Sequence, residues 1–217
     1  IATGRPMPFI NNLDGLEYDG IIESNGAHCQ LTDGTVICHK PIPQTDIRNF
    51  VDYCRNHELP AVFASHDDTF ITHTDRHTDD VFRLLDIEVP TIRPTESALD
   101  MDVLQIVGFF AKEEETFMMS NVLPGSNAQR WHPDFADVIV GGVDKSTGID
   151  AVAAHFGWDV KQTMAFGDGG NDIGMLRHVG CGIAMGNASE EVKQHARYVT
   201  DDIDRDGVAK AIERYLE

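Results

Sequence analysis

Apolar and polar positions along this chain switch between two periods, and the switches mark the elements. Met164, Ala165 and Phe166 form a short apolar run that stops at Gly167, which predicts a buried strand. Asp168 follows at the strand's C-terminal end and Gly169-Gly170 supply a turn. From Asn171 the spacing becomes helical, with Ile173, Leu176 and Val179 on one face, and Asn171 or Asp172 is expected to cap the new helix. Cys181 to Met185 predicts another buried strand. Asn187-Ala-Ser-Glu190 fits a capping box with Asn187 in the cap position, ahead of helices over about 190–198 and 207–216. The acidic stretch Thr200 to Asp206 between them lacks the central Gly and terminal Glu of an EF-hand and reads as a solvated loop. Upstream, Asp144 to Ile149 opens a helix whose Ile149, Val152, Ala153 and Phe156 share a face, with Gly157 placed to end it.

The N-terminal half begins with Ile1-Ala2, which has the character of a strand end, then a rim loop at Thr3-Gly4-Arg5. Pro6 suits the first position of a helix running to about Leu16. Gly20 to Ala27 predicts a strand ending in a polar, Gly-containing turn, and residues 28–38 a hairpin. With Asp33-Gly34 as a two-residue turn, Cys29 and Cys38 fall directly opposite each other. Their β-carbons would stand about 4.5–5.5 Å apart, wider than a disulfide prefers, so reduced neighbours are expected. The character changes at Pro41-Ile-Pro43. An amphipathic helix over 44 to about 57 is followed by strands at 61–64 and 69–72, a helix at 78–85 and a strand at 103–111. An acidic helix start at Lys112 to Glu115 and a β segment through Trp131 complete the run. These elements interleave without Gly-rich rim loops, which predicts an α+β insert of about 100 residues ending near Gly141-Gly142.

A chain of 217 residues can hold one large or two small domains, and 41% hydrophobic with 24% charged residues is a soluble globular composition. The longest apolar run, 103–111, is too short to span a bilayer and is interrupted by Gln105 and Gly108. No signal-peptide pattern stands at the start, so the expected location is cytoplasmic. Acids outnumber bases 36 to 17, for a net charge of −19, which argues against nucleic acid or an anionic membrane as partner. An anionic small molecule would need a metal or a few placed cations, which makes each placed Lys and Arg informative. The four cysteines have no metal-type spacing, and a reducing compartment follows. Nothing in the pattern sets an oligomeric state.

Ligands of open parallel α/β sheets bind beyond the strands' carboxyl ends. Asp168, Asn171 and Asp172 at such a rim suit a hard cation and a phosphate, although a capped turn with surface acids would use the same residue types. The Thr3 hydroxyl, the Gly4 N–H and the Arg5 guanidinium suit a phosphate oxygen, or a plain strand–helix connection. Lys145 stands at the first turn of its helix, where a cation opposes the helix dipole. It either faces an anion or is a solvated surface lysine.

Thr3-Gly4-Arg5, Ser24-Asn-Gly-Ala27, Lys145 within Asp144-Lys-Ser-Thr-Gly-Ile149, and Gly167-Asp-Gly-Gly-Asn-Asp172 together resemble the haloacid dehalogenase-like (HAD) phosphatases, most closely the Cof-type branch. The resemblance covers essentially the whole chain. It implies an α/β fold with a Rossmann-like parallel-sheet core, residues 1–43 and 143–217, interrupted by an α+β cap domain at 44–142. It also implies Mg²⁺-dependent hydrolysis of phosphomonoesters through an aspartyl-phosphate. In that scheme Thr3 and the Gly4 N–H hold the phosphoryl group with Arg5 beside them, and Lys145 neutralises it. Asp168 ligates Mg²⁺, Asn171 bonds a phosphate oxygen and Asp172 orients Lys145. Phosphoryl transfer needs such positioned charge more than covalent machinery. Asn25, at the core–cap junction, is expected to contact substrate or cap. Substrate choice is expected in the cap, with His66, Asp67, Asp68, His73 and Arg76 as its polar candidates.

The family's Asp-x-Asp-Gly-Thr motif, which carries the nucleophile, does not occur in these residues. Leu31-Thr-Asp-Gly-Thr35 has Leu in the nucleophile's place, and Asp100-Met-Asp102 precedes its strand instead of ending it. The resemblance therefore expects the nucleophile, and a central strand with it, upstream of Ile1. The expected function is a phosphatase of small phosphorylated metabolites, sugar phosphates above all. A non-catalytic phosphometabolite-binding protein and a phosphomutase are the alternatives.

Overall fold

The computed structural model of the chain describes residues 1–11, 13 and 15–215. Backbone contacts divide the protein into two units, Ile1 with Thr3–Val143 and Ala2 with Asp144–Glu217.

In the first unit, β1 (Gly20–Glu23), β2 (His28–Leu31) and β3 (Val36–His39) form an antiparallel sheet in that order. Cys29 does face Cys38, by a different route from the one expected. The turn is longer than two residues: the Leu31 N–H donates to the Thr35 carbonyl and the Asp33 carboxylate accepts from the Thr35 N–H. A bulge beside Cys29 then restores the pairing. All four cysteines are free thiols.

The helix expected from Pro6 to Leu16 is not present among the described residues, which hold only a 3-10 turn at Met7–Phe9. Part of that prediction, Asn12 and Asp14, lies outside the described residues. The turn stops at Ile10, which is already extended at φ −101°, ψ 107°.

A six-stranded sheet in the order β6-β5-β4-β7-β9-β8 makes up the rest of the unit. Its strands are β4 (Ala61–Ala64), β5 (Thr69–Ile71), β6 (Thr91–Ile92), β7 (Gln105–Gly108), β8 (Ser126–His132) and β9 (Phe135–Val140). All neighbours are antiparallel except β5 and β6. β4 is buried on both faces. Its Ala61 and Phe63 join a core with Ile47, Phe50, Val51 and Cys54 of helix α1 (Gln44–His57), whereas Val62 joins another with Val81 and Phe82 of α2 (Arg76–Leu85). Alternation along the strand therefore puts the two helices on opposite faces. Two boundaries differ from expectation. The strand foreseen over 103–111 pairs only from Gln105 to Gly108, and β9, folding back on β8 after Pro133-Asp134, had no counterpart. Between β7 and β8, Lys112–Glu114, α3 (Glu115–Phe117) and Met118–Val122 are successive 3-10, α and π turns.

The second unit holds the parallel sheet β10-β11-β12: Met164–Gly167, Cys181–Ala184 and Tyr198–Val199. Helix α4 (Lys145–Phe156) starts at a capping box in which Asp144 and Thr147 exchange side-chain and backbone hydrogen bonds. It ends at Gly157 in the left-handed region, φ 69°. Its expected apolar face is only partly covered, since Phe156 is 41% exposed and stacks on Trp158 with ring centres 4.5 Å apart. α5 (Ile173–His178) buries Leu176 against Ala184 and Val192. The helix expected over 190–198 is corrected to α6 (Glu190–Lys193), because Tyr198–Val199 is recruited as a parallel strand beside Ile183 and Ala184. Its cap is corrected too. Ser189, not Asn187, accepts from the Val192 N–H, and Asn187 is engaged elsewhere. α7 (Gly207–Tyr215) closes the described chain.

Candidate active site

The turn that follows β10 is built around one buried carboxylate. Asp172 is 5% exposed, and its Oδ2 accepts hydrogen bonds from the backbone N–H groups of Asp168 and Gly169, both at 2.9 Å. Neither Asn171 nor Asp172 caps the helix in the expected sense. Gly169 holds the cap position of the 3-10 turn Gly170–Asp172, and Asp172, three residues on, reaches back to it as the carboxylate half of a capping box. Gly167 makes room for this: a β-carbon there would lie 2.5 Å from the Asp172 β-carbon.

The second oxygen, Oδ1, receives Lys145 Nζ at 2.6 Å. Lys145 is 6% exposed, so both charges are withdrawn from water and hold each other. A lysine as first residue of α4 would ordinarily oppose the helix dipole, and Asp172 together with the Asp144 cap offsets that. Asp168 is exposed at the C-terminal end of β10. Its Oδ2 accepts from Asn187 Nδ2 at 2.9 Å, while Oδ1 has no partner among the described residues. Asn187 is itself fixed from the other side, its Oδ1 accepting from the Ile203 N–H at 3.2 Å. A carboxylate with one oxygen steered and the other open suits Mg²⁺, which takes one or two carboxylates and fills its remaining positions with water and phosphate. Asn171 is exposed on the same turn. The structure thus brings Lys145, Asp168 and Asp172 into one hydrogen-bonded group and adds Asn187. The only sequence signal for Asn187 was its place just after a strand, where its residue type reads equally well as a cap.

In the first unit Thr3 lies beside β1: the Ile22 N–H donates to the Ile1 carbonyl and the Thr3 N–H to the Ile22 carbonyl, each at 2.8 Å. The two chains run parallel and leave in step, so that the Asn25 N–H donates to the Thr3 carbonyl at 3.0 Å and the Ser24 N–H to the Arg5 carbonyl at 3.2 Å. Thr3, Arg5 and Asn25 are therefore brought together at one rim, with Gly4 between the first two. Thr3 Oγ1 accepts from the Arg5 N–H at 3.1 Å, and the exposed Arg5 guanidinium reaches the Phe9 carbonyl. Ser24, Asn25 and Gly26 all have positive φ, at 46°, 53° and 100°, a conformation that costs energy at the first two. Asn25 is 1% exposed, and the buried Ser24 hydroxyl has no hydrogen-bond partner among the described residues.

Among the polar residues of the insert, Asp68 forms a bidentate pair with Arg93 at 2.6 and 2.8 Å, and this guanidinium draws its carboxyl below the usual range. His66 Nδ1 stands 2.6 Å from Glu23 Oε1. His73 Nδ1 lies 3.3 Å from Thr72 Oγ1, while Asp67 and Arg76 remain open to solvent.

Comparison with known proteins bears directly on this geometry. The haloacid dehalogenase-like hydrolase family matches residues 1–212. The chain belongs to that family. Its relatives include the 5-amino-6-(5-phospho-D-ribitylamino)uracil phosphatase YitU of Bacillus subtilis, 30% identical over 100% of this chain and 84% of that one. Among solved structures, the HAD subclass IIB sugar phosphatase BT4131 superposes with a TM-score of 0.88 at 38% identity, covering 100% of this chain and 84% of its own. The HAD phosphatase BT1666 of Bacteroides thetaiotaomicron gives 0.90 at 37%, covering 100% and 81%. The protein is a HAD phosphatase of the Cof-type branch, and its fold is the α/β one, with a Rossmann-like parallel sheet and an α+β portion.

Proposed function

We propose that this HAD phosphatase hydrolyses small phosphorylated metabolites, sugar phosphates in particular, in the cytoplasm and with Mg²⁺. The observation that carries the reading is the buried Lys145–Asp172 pair at 2.6 Å, set on the same turn that leaves one Asp168 oxygen open. Asp168 would hold Mg²⁺, which when bound supplies positive charge to the phosphoryl oxygens. Lys145, locked by Asp172, adds a fixed cation, and Asn171 a hydrogen bond to a phosphate oxygen. Thr3, the Gly4 N–H and Arg5 would orient the phosphoryl group, with Asn25 contacting the substrate. Such groups act by being in place before charge develops. Hydrolysis would run through an aspartyl-phosphate. In the same reading residues 1–43 and 143–217 form the core domain and 44–142 the substrate-selecting cap. The sugar phosphatase BT4131 and the 5-amino-6-(5-phospho-D-ribitylamino)uracil phosphatase YitU support a small phosphorylated substrate and rank a phosphatase above a mutase or a binding protein.

The test is hydrolysis of a panel of sugar phosphates and a generic phosphomonoester by the full-length protein, with and without Mg²⁺. Turnover should require Mg²⁺ and fall by about 10² or more in Asp168→Asn, the scale on which a transition-state electrostatic contact acts. Unchanged turnover in that variant would remove Asp168 from the metal's ligands.

A further inference from the structure

The first unit carries a second group of metal-type side chains that shares no residue with the Asp168 turn. Register puts Glu23 of β1 opposite His28 of β2, and His28 opposite His39 of β3, so three polar side chains form a row on one face of a small sheet. His66, from the loop after β4, covers the row. Its ring stacks on that of His28 with centres 4.5 Å apart, and its Nδ1 meets Glu23 Oε1 at 2.6 Å. Glu23 is fully buried and His28 is 2% exposed. A carboxylate so placed calls for a cation or a proton. Besides His66, the Met7 N–H bonds Glu23 Oε2.

We propose that Glu23, His28 and His66 bind a divalent transition ion of the Zn²⁺ type. One ligand atom from each of the three lies within 4.8 Å of the others. Tetrahedral donors at about 2.0–2.2 Å from an ion stand about 3.3–3.6 Å apart, so binding would open the 2.6 Å contact of His66 with Glu23 and draw the wider separations in. Two imidazoles and one carboxylate are the donor set of catalytic zinc sites with an open position, and nitrogen donors select Zn²⁺, Co²⁺ or Ni²⁺ over Mg²⁺. A second tier of contacts is also built. His28 Nδ1 lies 2.9 Å from His39 Nδ1, a contact that orients the ligand ring from its far side. His28 Nε2 is hydrogen-bonded to Gln30 Oε1 at 3.0 Å, so ion binding through Nε2 would exchange that bond and its proton for the metal. On its outer side the group borders a cavity of about 500 Å³ that His66 and Gln30 help to line.

The experiment is a Co²⁺ titration of the full-length protein under reducing conditions, with Mg²⁺ in excess so that the Asp168 turn does not compete. One equivalent should bind with visible d–d bands and no thiolate charge-transfer band, Zn²⁺ should displace it, and it should raise the Tm. His66→Gln and His28→Gln should each weaken binding at least about tenfold, the scale of even an outer-shell loss, and Asp168→Asn should leave it intact. His66 is the more accessible of the two, so its variant remains informative if His28→Gln does not fold. The proposal is overturned by no saturable binding, by binding that survives His66→Gln, by a thiolate band that Cys38→Ser abolishes, or by loss in Asp168→Asn. Phosphomonoester turnover in the Asp168 variant is a separate readout, so failure here leaves the Mg²⁺ reading standing.

Discussion

Removing either half of the Lys145–Asp172 pair should destabilise the protein, and removing both should restore much of the loss. Both side chains are 7% exposed and meet at 2.6 Å. Asp172→Asn leaves a buried ammonium facing a neutral amide, and Lys145→Met leaves a buried carboxylate with only two backbone N–H donors. Truncating one partner of such a pair costs about 3–5 kcal/mol, whereas replacing both with uncharged groups of similar size is often close to neutral. Each single variant should therefore lose about 3 kcal/mol or more, about 6–12 °C in Tm at this chain length. The double variant should lose less than either, which makes the coupling energy about 3 kcal/mol or more. Urea unfolding followed by far-UV circular dichroism and by tryptophan fluorescence measures this, and coincident curves with an unchanged m-value license the comparison. Two single losses under about 1 kcal/mol that simply add would refute the reasoning, since that is how a solvated surface pair behaves. Turnover separates stability from function. The double variant should regain stability but no phosphatase activity, because the fixed cation is gone.

Gly167→Ala should push the Asp172 side chain from its place, costing about 1–3 kcal/mol and most of the activity. Near-wild-type stability and turnover would show that the turn can yield. Asn187→Ala should raise the Mg²⁺ concentration for half-maximal turnover by roughly tenfold while sparing turnover at saturation, because Asn187 orients the proposed metal ligand Asp168 through a hydrogen bond. An unchanged Mg²⁺ dependence would count against that role. Arg93 holds the Asp68 carboxyl below its ordinary value in the folded state, so the pair stabilises above about pH 4 and the benefit fades as pH falls through the folded-state value. Asp68→Asn should therefore cost up to about 1 kcal/mol near pH 7, given the partial exposure of the pair, and nothing in strong acid. A cost that persists in strong acid would point to lost packing instead. Burial pushes the Cys29 and Cys54 thiols up to about 12, so neither should be alkylated in the native protein at pH 8, as peptide mass mapping would show.

Where local signals agreed, the sequence read well. Helix α1 matches its predicted span because Ile47, Phe50, Val51 and Cys54 keep one face over 14 residues between a proline and a polar end. Helix α4 matches because Asp144, Thr147 and Gly157 mark both ends in chain order. Where a signal was shared between two uses, the reading failed. Asn187 had a capping residue's type and place, but Ser189 took the cap and Asn187 turned to Asp168. Tyr198–Val199 continued a helical pattern, yet an open edge beside β11 claimed it as a strand. Strand pairing over long distances overrides local preference of this size.

The order and spacing of Thr3-Gly4-Arg5, Ser24-Asn-Gly-Ala27, Lys145 and Gly167 to Asp172 were enough by themselves to determine the family and the fold class. They are short-range features, because a turn's chemistry depends on neighbours a few positions away. Only the tertiary structure decided what those residues do to one another. Asp172 binds Lys145 across 27 positions, Asn187 holds Asp168 across 19, and His66 reaches Glu23 across 43. Such contacts have no sequence period. They arise when strands pair and a buried charge must find its counter-charge within hydrogen-bond reach, a condition set by the packed chain as a whole.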